Sequence, residues 1–346
     1  MSGTDPKPFD FDQAVDAFFK SFPSYRSLIF VAPPFKYASQ AVQAYRDFTE
    51  DSAFDDLYDD SPDEEIKTLL YPGVPMAFAP HKDRHDQNLG ILPRWPTLTS
   101  YDEMIHNVFR PAAYLTAGHH DASDYQLDRR TTDHLNYFYF DHEIGHILTT
   151  NTLWKNKLSD TEMQNHHEET AADIYAILRH YQRFGKNSAF PEFLANLRRM
   201  DMIQQNDVVH FTAEAIEKTA KACEKIDIQA LNPKKTVALA LDLTPRSTLN
   251  RKTARCLKQN FAAVAGDFRN GKKLDGKALR KMERAAENTD CPLTRKTVTS
   301  YFDFIQNSMP RDLSEIFNFK LAQKRINPPK SKRKRANCKP CRHRKN

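Results

Sequence analysis

The residues most able to do chemistry stand in "NYFYFDHEIGHILTT", Asn136 to Thr150, where His142 and His146 lie four apart around Glu143. On a helix, positions i and i+4 share a face, so the two imidazoles can bind one cation. Glu143 points to the neighbouring face, from which it can reach a metal-bound water without being a ligand. The surroundings are apolar: Leu135, Phe138, Tyr139, Phe140, Ile144, Ile147 and Leu148. A helix apolar nearly all round is a buried one. Burying two imidazoles and a carboxylate is costly, and a bound dication removes that cost. A catalytic zinc usually takes three protein ligands, so a third is to be sought nearby.

It is offered by "SDTEMQNHHEETAADIYAILRHYQRFG", Ser159 to Gly185. Ser159 and Glu162 form an S-x-x-E capping box, and Gly185 suits a C-terminal cap. Met163, His167, Thr170, Ala171, Ile174, Leu178 and Tyr181 make the apolar stripe. Glu169 and Asp173 stand one turn apart beside it, with the small Ala172 and Ala176 close by, which permits close approach of the helix carrying HEIGH. Glu169 can then be the third ligand, while Asp173 accepts a hydrogen bond from a ligating histidine. A register with Glu168 as ligand is the alternative. Two imidazoles and one carboxylate suit Zn2+.

These two segments resemble the gluzincin division of the zincin metallopeptidases, the thermolysin-like layout. There H-E-x-x-H is followed some twenty residues later by E-x-x-x-D; here HEIGH and "ETAAD" (Glu169–Asp173) are separated by 22 residues. The resemblance covers Asp133 to Gly185. It implies zinc on His142, His146 and Glu169, with Asp173 orienting a ligand and Glu143 as general base toward a peptide bond. A downstream His or Tyr would stabilise the oxyanion; His210 in "DVVHFTAEAIE" is the first candidate, with Tyr181 and His180 behind it. Substrate would lie along an edge strand, for which "AAYLTAG" (Ala112–Gly118) is the candidate. The chain departs from thermolysin in carrying Glu168, where that pattern has Asn. The third His of the metzincins is absent, since "ILTTNTL" follows His146.

The elements that must position these residues read as follows. Residues 9–21 look helical, "SLIFVAP" (Ser27–Pro33) and "GVPMAFAP" (Gly73–Pro80) read as strands, and "ASQAVQAYRDF" as a helix. From about Asp133 the pattern is helical, with later helices at Ala213–Ile226, Arg251–Phe268, Gly276–Ala286 and Leu293–Ile305. "NPKK" (Asn232–Lys235) and "TPRS" (Thr244–Ser247) are candidate joints. The fold class expected is α+β and zincin-like: a small mixed N-terminal lobe with a short sheet, a mainly helical C-terminal lobe and a disordered basic tail. The division expected is a metallopeptidase domain over 1–230 (N-terminal lobe about 1–130, site helices 133–185), a helical region over 231–326 and the tail over 327–346.

The chain's 346 residues are ample for a sizeable core. Its net charge of +6 conceals a division: from Lys324 to Asn346 there are eleven Lys and Arg and no acid, which leaves −5 on the rest. The basic end invites polyanions, nucleic acid or acidic proteins, through residues 324–346. Its Cys338 and Cys341 form a lone C-x-x-C, half of a zinc ribbon. The five cysteines are few and odd in number, which argues for a reducing compartment. "MSGTDPKPFDFDQ" has neither the basic nor the apolar region of a signal peptide, and no apolar run reaches membrane-spanning length. A cytoplasmic location is expected, with export by a signal-less route open. The acidic stretch 50–65 reads as a solvated loop or helix end, and His119 and His120 as a loop.

The principal reading is thus a zinc metallopeptidase acting on protein or peptide. A small-molecule amide hydrolase would use the same residues. The rival is a non-catalytic protein whose metal staples two helices and whose tail engages nucleic acid or acidic partners; there Glu143 has no role.

Overall fold

The computed structural model describes residues 8–23, 27–30, 76–78, 88–91, 129–155, 158–270, 276–308 and 326. It divides into two compact units, Met1–Leu274 and Asp275–Asn346. In the first, α1 spans Phe11–Ser21, β1 Ser27–Phe30, β2 Met76–Phe78 and β3 Asn88–Ile91. Among the described residues six helices follow: α2 (Arg129–Trp154), α3 (Thr161–Phe184), α4 (Phe190–Gln205), α5 (Ala213–Glu224), α6 (Pro233–Ser247) and α7 (Arg251–Arg269). A 3-10 turn at Ile228–Ala230 links α5 to α6.

The α+β, zincin-like expectation is overturned, because the described residues are mainly helical. The strands are three or four residues long, in the order β1-β3-β2. β3 pairs parallel with β1 and antiparallel with β2. Runs this short do not make a lobe, whereas the helices from residue 129 onward succeed one another with short connections. The expected edge strand Ala112–Gly118, the helix in "ASQAVQAYRDF", the acidic stretch 50–65, His119, His120 and the tail 327–346 lie outside the described residues.

α2 and α3 form the centre of the first unit, and α5 and α6 pack on α3. α4 packs on α5 and α7. Hydrophobic burial explains the arrangement: Leu135, Phe138, Ile144, Ile147, Ala171, Ala172, Ile174, Ala176, Ile177 and Leu178 are all essentially inaccessible. α1 is tied to the start of α2 by Phe9, whose amide donates to the Asp133 carboxylate at 3.0 Å and whose ring meets Tyr137 edge-on at 4.8 Å.

Local signals account for most of the boundaries. Asp160, one residue later than the expected Ser159, caps α3 by accepting from the Met163 amide at 3.3 Å. Glu162 pairs with Lys258 of α7. Gly185 ends α3 at φ 80°, a conformation that costs glycine nothing. α4 and α6 were not delimited from sequence. In α4, Arg198, Arg199 and Asp201 interrupt the apolar pattern, yet all three are buried. In α6, Asn232 and Pro233 begin the helix as the joint at 232–235 suggests. The second joint is displaced: the helix runs through Pro245 and ends at Ser247.

In the second unit, α8 (Gly276–Glu287) packs against α9 (Pro292–Ser308) through Ala278, Leu279, Met282, Val298, Tyr301 and Phe302. Among the described residues no helix is long and apolar enough to cross a membrane. Cys223, Cys256 and Cys291 are free thiols.

Candidate metal centre

The site begins with a missing side chain. Gly145, inside HEIGH, faces α3, and a Cβ there would stand 2.8 Å from the Ala172 Cα and 3.0 Å from its carbonyl oxygen. Main chain meets main chain at this crossing. The approach brings Glu169, one turn before Asp173, up to the two histidines of α2.

His142 Nε2 lies 3.1 Å from His146 Nε2 and 3.3 Å from Glu169 Oε2, and His146 Nε2 lies 3.4 Å from Glu169 Oε1. Two ligands about 2.0–2.1 Å from a tetrahedral zinc are separated by about 3.3 Å. The imidazole pair is close to that separation, and Glu169 turns a different carboxylate oxygen to each ring, so one cation between the three side chains is within reach of all of them. Among the described residues, His142, His146 and Glu169 are the group of three or more His, Cys, Asp or Glu that could hold a metal ion. Glu169 Oε2 is buried, with the His142 ring as its polar neighbour and no hydrogen bond of good geometry. The donor set therefore fits a dication. Glu168 is turned elsewhere, its carboxylate accepting from Gln164 at 2.7 Å.

Around these three side chains is a layer that fixes them. His142 Nδ1 meets Asp173 Oδ1 at 2.7 Å, so Nδ1 carries a proton and Nε2 is the nitrogen a cation would take. Asp173, wholly buried, is gripped by the Arg198 guanidinium at 3.0 Å through Nε and 2.9 Å through Nη2. The Thr212 hydroxyl donates to its other oxygen. Burial would raise the Asp173 carboxyl, but Arg198 and His142 outweigh it and hold the pKa far below the usual range. Glu169 is likewise depressed, burial being overcome by His210, His146 and His142. Burial also works against the His142 proton, yet without a cation Asp173 and Glu169 raise its pKa to about 10.

Glu143 is 5% exposed, and burial raises its pKa against the lowering effect of His142 and His146. His210 reaches the same cluster from the loop before α5, its Nε2 3.6 Å from Glu169 Oε1. Its Nδ1 meets Asp207 at 2.6 Å, and its side chain is 43% exposed, the most open of the group. Glu169 and Asp207 raise its pKa to about 9 although burial opposes this. His180 and Tyr181 are eleven and twelve residues from Glu169 along α3, some three turns or about 16 Å away. His180 hydrogen-bonds Ser188 at 2.7 Å there. His166 is a structural link: its Nε2 accepts from the Leu249 amide at 3.1 Å, so Nδ1 donates to the Val209 carbonyl at 3.0 Å. His167 is half-buried, and both its ring nitrogens lack a hydrogen-bond partner.

Sequence reasoning missed Arg198, Thr212 and Asp207. Arg198 had a signal: a cation between Leu197 and Met200 in an apolar stretch demands a buried acid. Asp207, three residues before His210, had a weaker one, and Thr212 none.

No protein-family model, curated protein or solved structure matches the chain.

Proposed function

We propose that this protein is a zinc-dependent metallopeptidase of gluzincin-like chemistry, with His142, His146 and Glu169 as ligands and Glu143 as general base. The observation that supports this best is the convergence of His142, His146 and Glu169, whose ligand atoms lie within 4.8 Å of one another. A bound zinc would acidify a water and polarise a carbonyl. Glu143, buried and with a raised pKa, suits the transfer of a proton from the attacking water to the leaving amine. Asp173, clamped by Arg198 and Thr212, keeps the His142 tautomer and ring orientation. His210, protonated and held by Asp207, is suited to stabilise negative charge on the substrate oxygen. A peptide is the proposed substrate, and the cytoplasm the proposed location.

Elemental analysis of purified wild type, Glu143→Gln and Glu169→Ala, together with a peptide-library hydrolysis assay, tests the proposal. Wild type should carry about one zinc per chain, as a three-ligand site requires. Glu169→Ala should lose most of it. Glu143→Gln should keep the metal and lose hydrolysis by a factor of about 100 or more, the usual worth of a positioned general base. Metal-free wild type purified without chelator rejects the centre. Metal retention with no hydrolysis of any peptide rejects the peptidase and leaves a metal that joins two helices.

A further inference from the structure

The acidic and basic residues are divided between the two compact units. Residues 275–346 hold nineteen Lys and Arg against seven Asp and Glu, a balance of +12, so the other 274 residues carry −6. Part of this excess lies on folded structure. On α8, Lys277, Arg280, Lys281 and Arg284 follow the i, i+3, i+4, i+7 spacing of one helix face. Lys277, Arg280 and Arg284 are exposed and Lys281 is half-buried. The opposite face, Ala278, Leu279, Met282 and Ala286, is buried. Of the two acids on α8, Glu283 is buried as well, and Glu287 stands at the last position. The apolar contact with α9 therefore fixes the basic face outward.

We propose that α8 is a docking surface for duplex DNA, bound through its phosphates without dependence on sequence. A helix surface of this kind concentrates positive potential where a polyanion releases counterions on binding. Two features select the duplex. The exposed large hydrophobic residues among the described side chains, Phe19 and Leu158, both belong to the first unit, so the described side chains of α8 and α9 present no aromatic platform for unstacked bases and no apolar wedge for a bilayer. A helix enters the major groove of B-form DNA, about 12 Å wide, whereas the A-form groove of double-stranded RNA is too narrow for it. The basic segment 324–346 adds eleven charges to the same unit.

The test uses the full chain and fluorescence anisotropy with a labelled duplex of about 20 base pairs, titrated over a range of salt. Wild type should bind, with log K falling linearly against log salt. Arg280→Gln/Arg284→Gln should reduce that slope by about 2, one phosphate contact per arginine, and each single variant by about 1. Glutamine is a good helix former, so α8 should persist, which circular dichroism checks. With Lys332, Arg333, Lys334 and Arg335 all changed to Gln, the dependence on Arg280 and Arg284 should survive. The proposal is overturned if wild type does not bind the duplex at low salt, or if the double variant keeps the full slope. Preference for double-stranded RNA, single strands or phosphatidylserine vesicles over the DNA duplex overturns it equally.

Discussion

Buried imidazoles stand at two places along α3, and they behave in opposite ways. Near its middle, His142 of α2 faces Asp173 and Glu169, and its pKa rises to about 10 when no cation is present. At the far end, His180 lies against Phe190 at 4.8 Å and Phe184 at 4.7 Å, meets His134 edge-on at 5.0 Å, and bonds only a serine hydroxyl. Burial there, with His134 and Arg183 adding to it, drives its pKa down to about 2. Both rings are almost inaccessible. Burial alone does not decide a histidine's charge; the carboxylates that share its enclosure do.

That contrast can be tested at three strengths. The largest effect is expected at Arg198. Arg198→Leu leaves Asp173 with no guanidinium, and breaking a buried ion pair on one side costs about 3–5 kcal/mol. Urea denaturation should show this loss; an unchanged midpoint would mean that His142 and Thr212 alone satisfy the carboxylate. Next is Gly145→Ala, which puts a methyl group against the main chain of α3. Overpacking of this kind costs about 1–3 kcal/mol, read as a lower Tm, and the same variant should bind zinc more weakly by isothermal titration.

The smallest effect concerns His180. Its folded pKa lies below its ordinary value, so below about pH 6.5 the unfolded chain takes up a proton that the folded chain refuses. Stability contributed there is complete above that pH and falls by up to about 1.4 kcal/mol per pH unit as the solution is acidified. His180→Phe should remove this part of the acid slope and leave the zinc content at its wild-type level. An acid slope unchanged in that variant would erase the distinction between the two enclosures.

The convergence of His142, His146 and Glu169 was legible in the sequence because helical spacing converts directly into geometry. His142 and His146 share a face by arithmetic, and so do Glu169 and Asp173. The small residues between helices were legible in part: Ala172 and Ala176 marked a close approach, while the partner in that contact, Gly145, passed as one letter of a motif. Long-range partners left little trace, since no periodicity couples Arg198 or Thr212 to an aspartate 25 or 39 residues away. The fold class failed for a different reason. Short apolar runs near the N-terminus have strand composition, but a strand contributes to a lobe only through neighbours that sequence spacing does not reveal, and those described are three or four residues long.

The crossing at Gly145 has a consequence for variation. The atoms nearest to an added methyl are the Cα, carbonyl oxygen and carbonyl carbon of Ala172, which every amino acid possesses. No replacement at position 172 can therefore relieve a larger residue at 145. A selection for suppressors of Gly145→Ala should return changes that let an entire helix move, and none at the residue in contact.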